Sequence, residues 1–88
     1  MALNINGIGI PIRITATGDI GTDSAETIVW ALSAQGTDIT VHNAGGASAA
    51  VFELAADDSI AFPKGMHLPL GCHIVLAGAG AVGVVYSQ

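Results

Sequence analysis

Thr27-Ile28-Val29-Trp30-Ala31-Leu32-Ser33 is the stretch on which the fold turns. It is a β-branched and aromatic run with a period of two, placing Ile28, Trp30 and Leu32 on one face and Val29, Ala31 and Ser33 on the other. No helical stripe can be drawn through it. It reads as a central strand, buried on one face and partly covered on the other. Gln35-Gly36-Thr37 follows at hairpin length, and Asp38 to Asn43 resumes the alternation with Ile39 and Val41 inward. The expectation is a hairpin between these two strands.

The period of two holds outward in both directions. Upstream, Ile8, Ile10, Ile12 and Ile14 alternate with Gly9, Pro11, Arg13 and Thr15, and Pro11 confines that strand to an edge because it cannot donate to a ladder. Gly18 to Ala25, with two glycines and two aspartates, reads as turn or loop. Downstream, Ala50 to Leu54 reads as a strand, with a short helix as the alternative because Ala47 to Ala56 is rich in alanine. Asp57-Asp58-Ser59 is a polar turn. Ile60 to Phe62 is a short run ended by Pro63, Lys64-Gly65 is a turn, and His67 to Leu70 is broken by Pro69 and Gly71. Cys72 to Leu76 and Ala81 to Ser87 form a last pair joined through Gly78-Ala79-Gly80.

About seven short strands, spaced by turn residues, predict an all-β fold, an antiparallel β-sandwich or jelly-roll-like small barrel. The core pool is Ile12, Ile14, Ile28, Trp30, Leu32, Ile39, Val41, Phe52, Leu54, Ile60, Phe62, Ile74, Leu76, Val82, Val84 and Tyr86. Val29 and Val85 exchange with their neighbours if the register slips by one. Residues 1–14 form an N-terminal arm or edge strand, and residues 15–88 a single β domain.

A chain of 88 residues is one domain near the small end of the range. Its one cysteine, Cys72, excludes an internal disulfide, which leaves oligomerisation or docking on a larger surface as support. Two basic residues, Arg13 and Lys64, against seven acidic ones give a net charge of -5, so there is no footprint for a phosphate backbone and no nucleic-acid partner is expected. Only 10% of residues are charged, few for a free-standing monomer, which favours a chain that buries outer faces against partners. The longest apolar stretch, Ile74 to Val85, is interrupted by glycines and is shorter than the roughly 20 residues of a spanning helix. Neither a membrane partner nor a signal peptide is expected.

The candidate chemistries fail on geometry. Gly78-Ala79-Gly80-Ala81-Val82-Gly83 matches the dinucleotide fingerprint G-x-G-x-x-G, but only Val84-Val85-Tyr86-Ser87-Gln88 remain to build the helix whose N-terminus would hold a pyrophosphate. A glycine-rich hairpin between the last two strands is the better reading. Asp57 and Asp58 are adjacent and cannot share a proton as a dyad does. Asp19, Asp23 and Glu26 lack the alternation of a calcium loop. His42, His67, His73 and Cys72 are the available soft ligands, and Cys72 and His73, as strand neighbours, point opposite ways. Cys72 lies among apolar residues and reads as a buried inert thiol. No serine sits in a nucleophile elbow. Trp30 and Tyr86 are the large amphipathic aromatics, and Trp30 reads as core. No catalytic, cofactor-binding or metal residue is assigned, and no cofactor is expected.

A wider pattern adds context. Asp19-Ile20-Gly21 leading into Ile28 to Leu32, the Thr37 to Asn43 arm, Phe62-Pro63-Lys64-Gly65-Met66-His67-Leu68, and the terminal Leu76-Ala77-Gly78-Ala79-Gly80-Ala81-Val82-Gly83-Val84-Val85-Tyr86 together resemble small all-β virion proteins of tailed bacteriophages. The resemblance covers roughly residues 18–88 and rests on structural motifs. It implies a non-enzymatic virion protein made in the host bacterial cytoplasm. The favoured role is a capsid decoration or cement protein, whose partners are the major capsid protein or other virion proteins. A tail, collar or head-to-tail component is the alternative within that class, and a carbohydrate- or receptor-binding β module using Trp30, Tyr86 and loop aspartates is the alternative from another.

The expected assembly is a homo-oligomer, with a trimer favoured. Its candidate interface is the N-terminal arm, where Leu3, Ile5, Ile8 and Ile10 stand beside Gly7 and Gly9. The arm is apolar enough to bury and too glycine-broken for a stiff central strand, so it suits strand addition to a neighbour's edge.

Overall fold

The computed structural model describes residues 9–21, 26–44 and 49–88. Eight strands follow one another: β1 (Ile10–Ile14), β2 (Gly18–Ile20), β3 (Thr27–Gln35), β4 (Ile39–Asn43), β5 (Ala50–Leu54), β6 (Ser59–Leu68), β7 (Cys72–Leu76) and β8 (Ala81–Ser87). Among the described residues there is no helix, as the period of two requires. Two antiparallel four-stranded sheets result, ordered β1-β8-β3-β6 and β2-β7-β4-β5. The pairs β1/β8, β2/β7, β3/β6 and β4/β5 are nested, as in one long hairpin wound so that successive segments fall in alternate sheets. The pairs β3/β8 and β4/β7 then join the windings laterally.

One apolar cluster holds both sheets. Val29, Leu32, Ala34, Leu68, Val82 and Val84 of the first sheet meet Ile20, Ile39, Val41, Leu54, Cys72 and Ile74 of the second. Ile12, Ile14, Phe52, Phe62, Met66, Leu76 and Tyr86 close its margins. At the β5/β6 margin the rings of Phe52 and Phe62 meet edge to face with centroids 5.4 Å apart, an arrangement favoured by the aromatic quadrupole.

Several expectations are corrected here. The β3/β4 segments and the β7/β8 segments are not hairpins, since each pair is split between the two sheets. Their short connections pass from one sheet to the other instead, through largely exposed residues, because a tight turn allows either path and the nested long-range ladders select the crossing. Gly18–Ile20 is a strand within the stretch read as loop, held by β7 through Asp19↔His73. Ser59–Leu68 is one strand that runs through Pro63, tolerated because β6 is an edge.

The inward face of β3 also differs from its reading. The register on both neighbours shifts between Val29 and Ala31: against β8 Trp30 is an extra residue of β3, and against β6 the four residues 62–65 stand opposite it. Val29 and Leu32 therefore both point inward, fully buried, while Ile28 and Trp30 are only half-buried and outside the core cluster. Ile60, at the outer edge, is exposed. Ile20, Leu68 and Ala34, absent from the expected pool, lie in the core, where Leu68 closes the end of β6.

Candidate functional site

The two sheets present unlike outer faces. On the second, the register sets Asp19, His73 and His42 side by side across β2, β7 and β4. The Nδ1–H of His73 donates to the Asp19 carboxylate at 2.7 Å, and the rings of His73 and His42 lie edge to face with centroids 6.1 Å apart. Thr40 Oγ1 stands 3.0 Å from Nε2 of His42, and Glu53 pairs with Thr40 on the adjoining strand. Among the described residues no three histidine, cysteine or acidic side chains converge as ligands for a metal ion. Cys72, next in sequence to His73, points the other way into the core. Burial pushes its thiol up to about 12, and the nearby negative charge of Asp19 adds to the effect. At that value the thiolate needed for a nucleophile is absent at neutral pH.

The middle of the outer face of the first sheet is built from small and apolar residues, with Arg13 opposite Gly83 on one side of it and His67, 3.6 Å from Glu26, toward the end of β6. This middle is a shallow depression of about 470 Å³ around Pro11, Ala31, Ser33, Ala61, Gly83 and Val85, and no residue of its lining carries a charge. The indole of Trp30 flanks it: its Nε1–H donates to Ser87 Oγ at 3.0 Å. Gly65, left-handed at φ 77°, leaves room for that ring, since a Cβ there would lie 3.3 Å from it and 2.5 Å from Ile28 Cγ2. Gly9 packs on the same face, where a Cβ would collide with Val85 and fall 3.9 Å from Trp30 Cδ1. The chain thus passes onto the rim of this face just before β1 begins.

The remaining candidates serve the loops. Thr37 is buried and its hydroxyl accepts from Gly78 N at 2.8 Å while donating to Asp38 O. The Asp38 carboxylate accepts from Ala56 N at 2.8 Å, and Asp57 Oδ1 accepts from Gly36 N at 3.1 Å. Together these bonds tie the β3–β4, β5–β6 and β7–β8 connections into one knot. Gly80 belongs to it by close approach, because a Cβ there would lie 2.4 Å from Gln35 O. The glycine motif at 78–83 is accounted for by this packing, with β8 after it.

Of the expected interface residues, Leu3, Ile5 and Ile8 lie outside the described residues, as do Asp23 and its neighbours in 22–25. Ile10 opens β1 opposite Tyr86 and is 54% exposed. Trp30 and Tyr86 do not share a platform: Tyr86 packs against the core from within, whereas Trp30 lies on the outer face. The depression itself went unread in the sequence. Its signal was the run of small residues at outward positions, Ala31, Ser33, Ala61 and Gly83. Among the described residues no helix is long and apolar enough to cross a membrane. No known protein family, curated protein or solved structure matches this chain.

Proposed function

We propose that this chain is a small jelly roll acting as a non-enzymatic structural protein of a tailed-bacteriophage virion, a decoration or cement protein that docks on the head lattice. The observation that carries the reading is the uncharged depression of small and apolar residues in the middle of the β1-β8-β3-β6 face, where the other face carries Asp19, His73 and His42 at its centre. A contiguous apolar face of this kind favours a protein partner over water. The architecture lends support, since eight strands paired 1/8, 2/7, 3/6 and 4/5 in two sheets correspond to the double Greek key of jelly rolls, a fold common among capsid proteins. That support is an analogy of fold, and the functional reading rests on the face.

The major capsid protein is the proposed partner, with the chain itself forming a homo-oligomer, as a trimer, on the lattice. Electron cryomicroscopy of purified particles tests this directly. Density for the chain on the outer head supports the reading. Density confined to the tail or collar transfers it to that part of the virion, and absence from particles overturns it.

A further inference from the structure

We propose that the uncharged depression on the β1-β8-β3-β6 face receives the N-terminal segment, residues 2–8, of a second copy of this chain. The inference deepens the assembly reading above by naming the partner of the face, and it rests on that reading.

Three observations carry it. The first is where the described chain starts. Gly9 sits at the rim, against Val85 and Trp30, at the end of the sheet where β1 begins opposite Tyr86. Ahead of it stand Leu3, Ile5 and Ile8, in a segment of seven residues that spans about 23–25 Å when extended, against about 14 Å across four strands. Seating the segment in its own depression requires the chain to reverse at once, because the depression lies back along β1 past Pro11. The depression of a neighbouring copy sets no such requirement.

The second observation is charge. Two copies of a chain with net charge -5 repel one another overall. Residues 2–8, Ala-Leu-Asn-Ile-Asn-Gly-Ile, carry no charged side chain, and neither does the lining of the depression. Contact between these two surfaces brings no like charges together. Ser33 and Ser59 in the lining give Asn4 and Asn6 polar partners of the right kind.

The third is the state of the alternative acceptors. Strand addition needs a free ladder edge, but both edges of this sheet contain proline, Pro11 in β1 and Pro63 in β6, and β6 also departs from the β3 register around 62–65. The segment is therefore assigned to the face rather than to an edge of this sheet. A contact between unlike surfaces on identical chains closes into a ring when the rotation permits, which is how the trimer arises.

Cysteine cross-linking and sedimentation test the assignment on the full-length chain. Ile5→Cys and Ala61→Cys, made singly and mixed, should give a disulfide between chains on mild oxidation, with the buried Cys72 staying out of the reaction. A double variant that closes only within one chain overturns the proposal, and so does the absence of any cross-link. Deleting residues 2–8 should dissociate the oligomer while the far-UV β spectrum persists. Ala61→Glu, at an exposed position where folding tolerates a charge, should dissociate it in the same way and guards against a deletion that fails to fold. An oligomer unchanged by Ala61→Glu, or a parent that is monomeric at every concentration, overturns the proposal. Absence from virions would defeat the head-docking reading while leaving the inter-chain cross-link in place, so the two failures are distinguishable.

Discussion

The indole of Trp30 on β3 and the hydroxyl of Ser87 on β8 are joined by a 3.0 Å hydrogen bond on the outer face of their sheet, which fixes the largest side chain of the protein outside its core. The bond satisfies the only polar atom of a ring otherwise packed among Gly65, Gly9 and Val85. Ser87→Ala should therefore lower stability by about 1 kcal/mol, the usual net value of such a bond. Urea unfolding of Ser87→Ala, Trp30→Phe and the double variant checks this. Additive losses would show that the two side chains are not coupled.

Gly65 is required twice over, by its left-handed backbone and by its neighbours. Gly65→Ala forces a non-glycine residue to φ 77° and drives a methyl group into Ile28 Cγ2. The expected loss is roughly 1–3 kcal/mol, accompanied by a shift in Trp30 fluorescence as the ring gives way. Gly18→Ala is the control, since nothing lies within 4 Å of a Cβ there. Equal losses from the two variants would contradict the packing argument.

Thr37→Val keeps the methyl group that lies against Gly80 but deletes the hydroxyl that Gly78 N donates to. Thr37 is buried but Gly78 is exposed and its N–H can turn to water, so the loss should be that of one net hydrogen bond, about 0.5–1.5 kcal/mol. Hydrogen exchange supplies the local readout. Protection should fall first at Gly78 and Ala77, and unchanged exchange there would remove Thr37 from the knot.

Cys72 makes a prediction with a definite sign. Its thiol stays protonated in the folded chain up to about pH 12, whereas an unfolded chain loses that proton above about pH 8.5. The unfolded state then binds fewer protons than the native one, so stability is fully present below about pH 8.5 and declines as pH rises toward the folded value. Cys72→Ala should show a shallower decline than the parent across that window. A thiol reagent at pH 8 should label the native protein only as fast as it unfolds, and rapid native labelling would contradict the burial.

The Asp19–His73 pair predicts little for stability. Asp19 is substantially exposed, and exposed pairs contribute about 0–1 kcal/mol. Asp19→Asn should therefore leave the unfolding midpoint almost unchanged, and a large drop would mean that β2 is held mainly by this one contact.

Much of the fold was legible in the chain. Period-two alternation marked β1, β3, β4, β5, β7 and β8, put Ile39, Val41, Ile74, Val82 and Val84 inside, and placed the proline-bearing β1 at an edge. Alternation reports on which side of a strand is dry, a local property carried by each residue and its neighbour twice removed. The candidate face was not legible, because Ala31, Ala61 and Gly83 come together only when β3, β6 and β8 lie side by side.

What the sequence by itself determined is therefore the all-β class, most strand positions and most inward faces. Tertiary structure alone decided which strands share a sheet: Gln35-Gly36-Thr37 and Gly78-Ala79-Gly80 have hairpin chemistry, yet both connect opposite sheets, because a few turn residues satisfy either path. The choice falls to ladders closed across the length of the chain, such as Ile12↔Val84 and Ile20↔Cys72. It also decided the fate of Trp30. The residues between Met66 and Ala61 on β6 oppose that single residue on β3, and the mismatch in ladder length turns the indole out to the surface where alternation alone would have buried it.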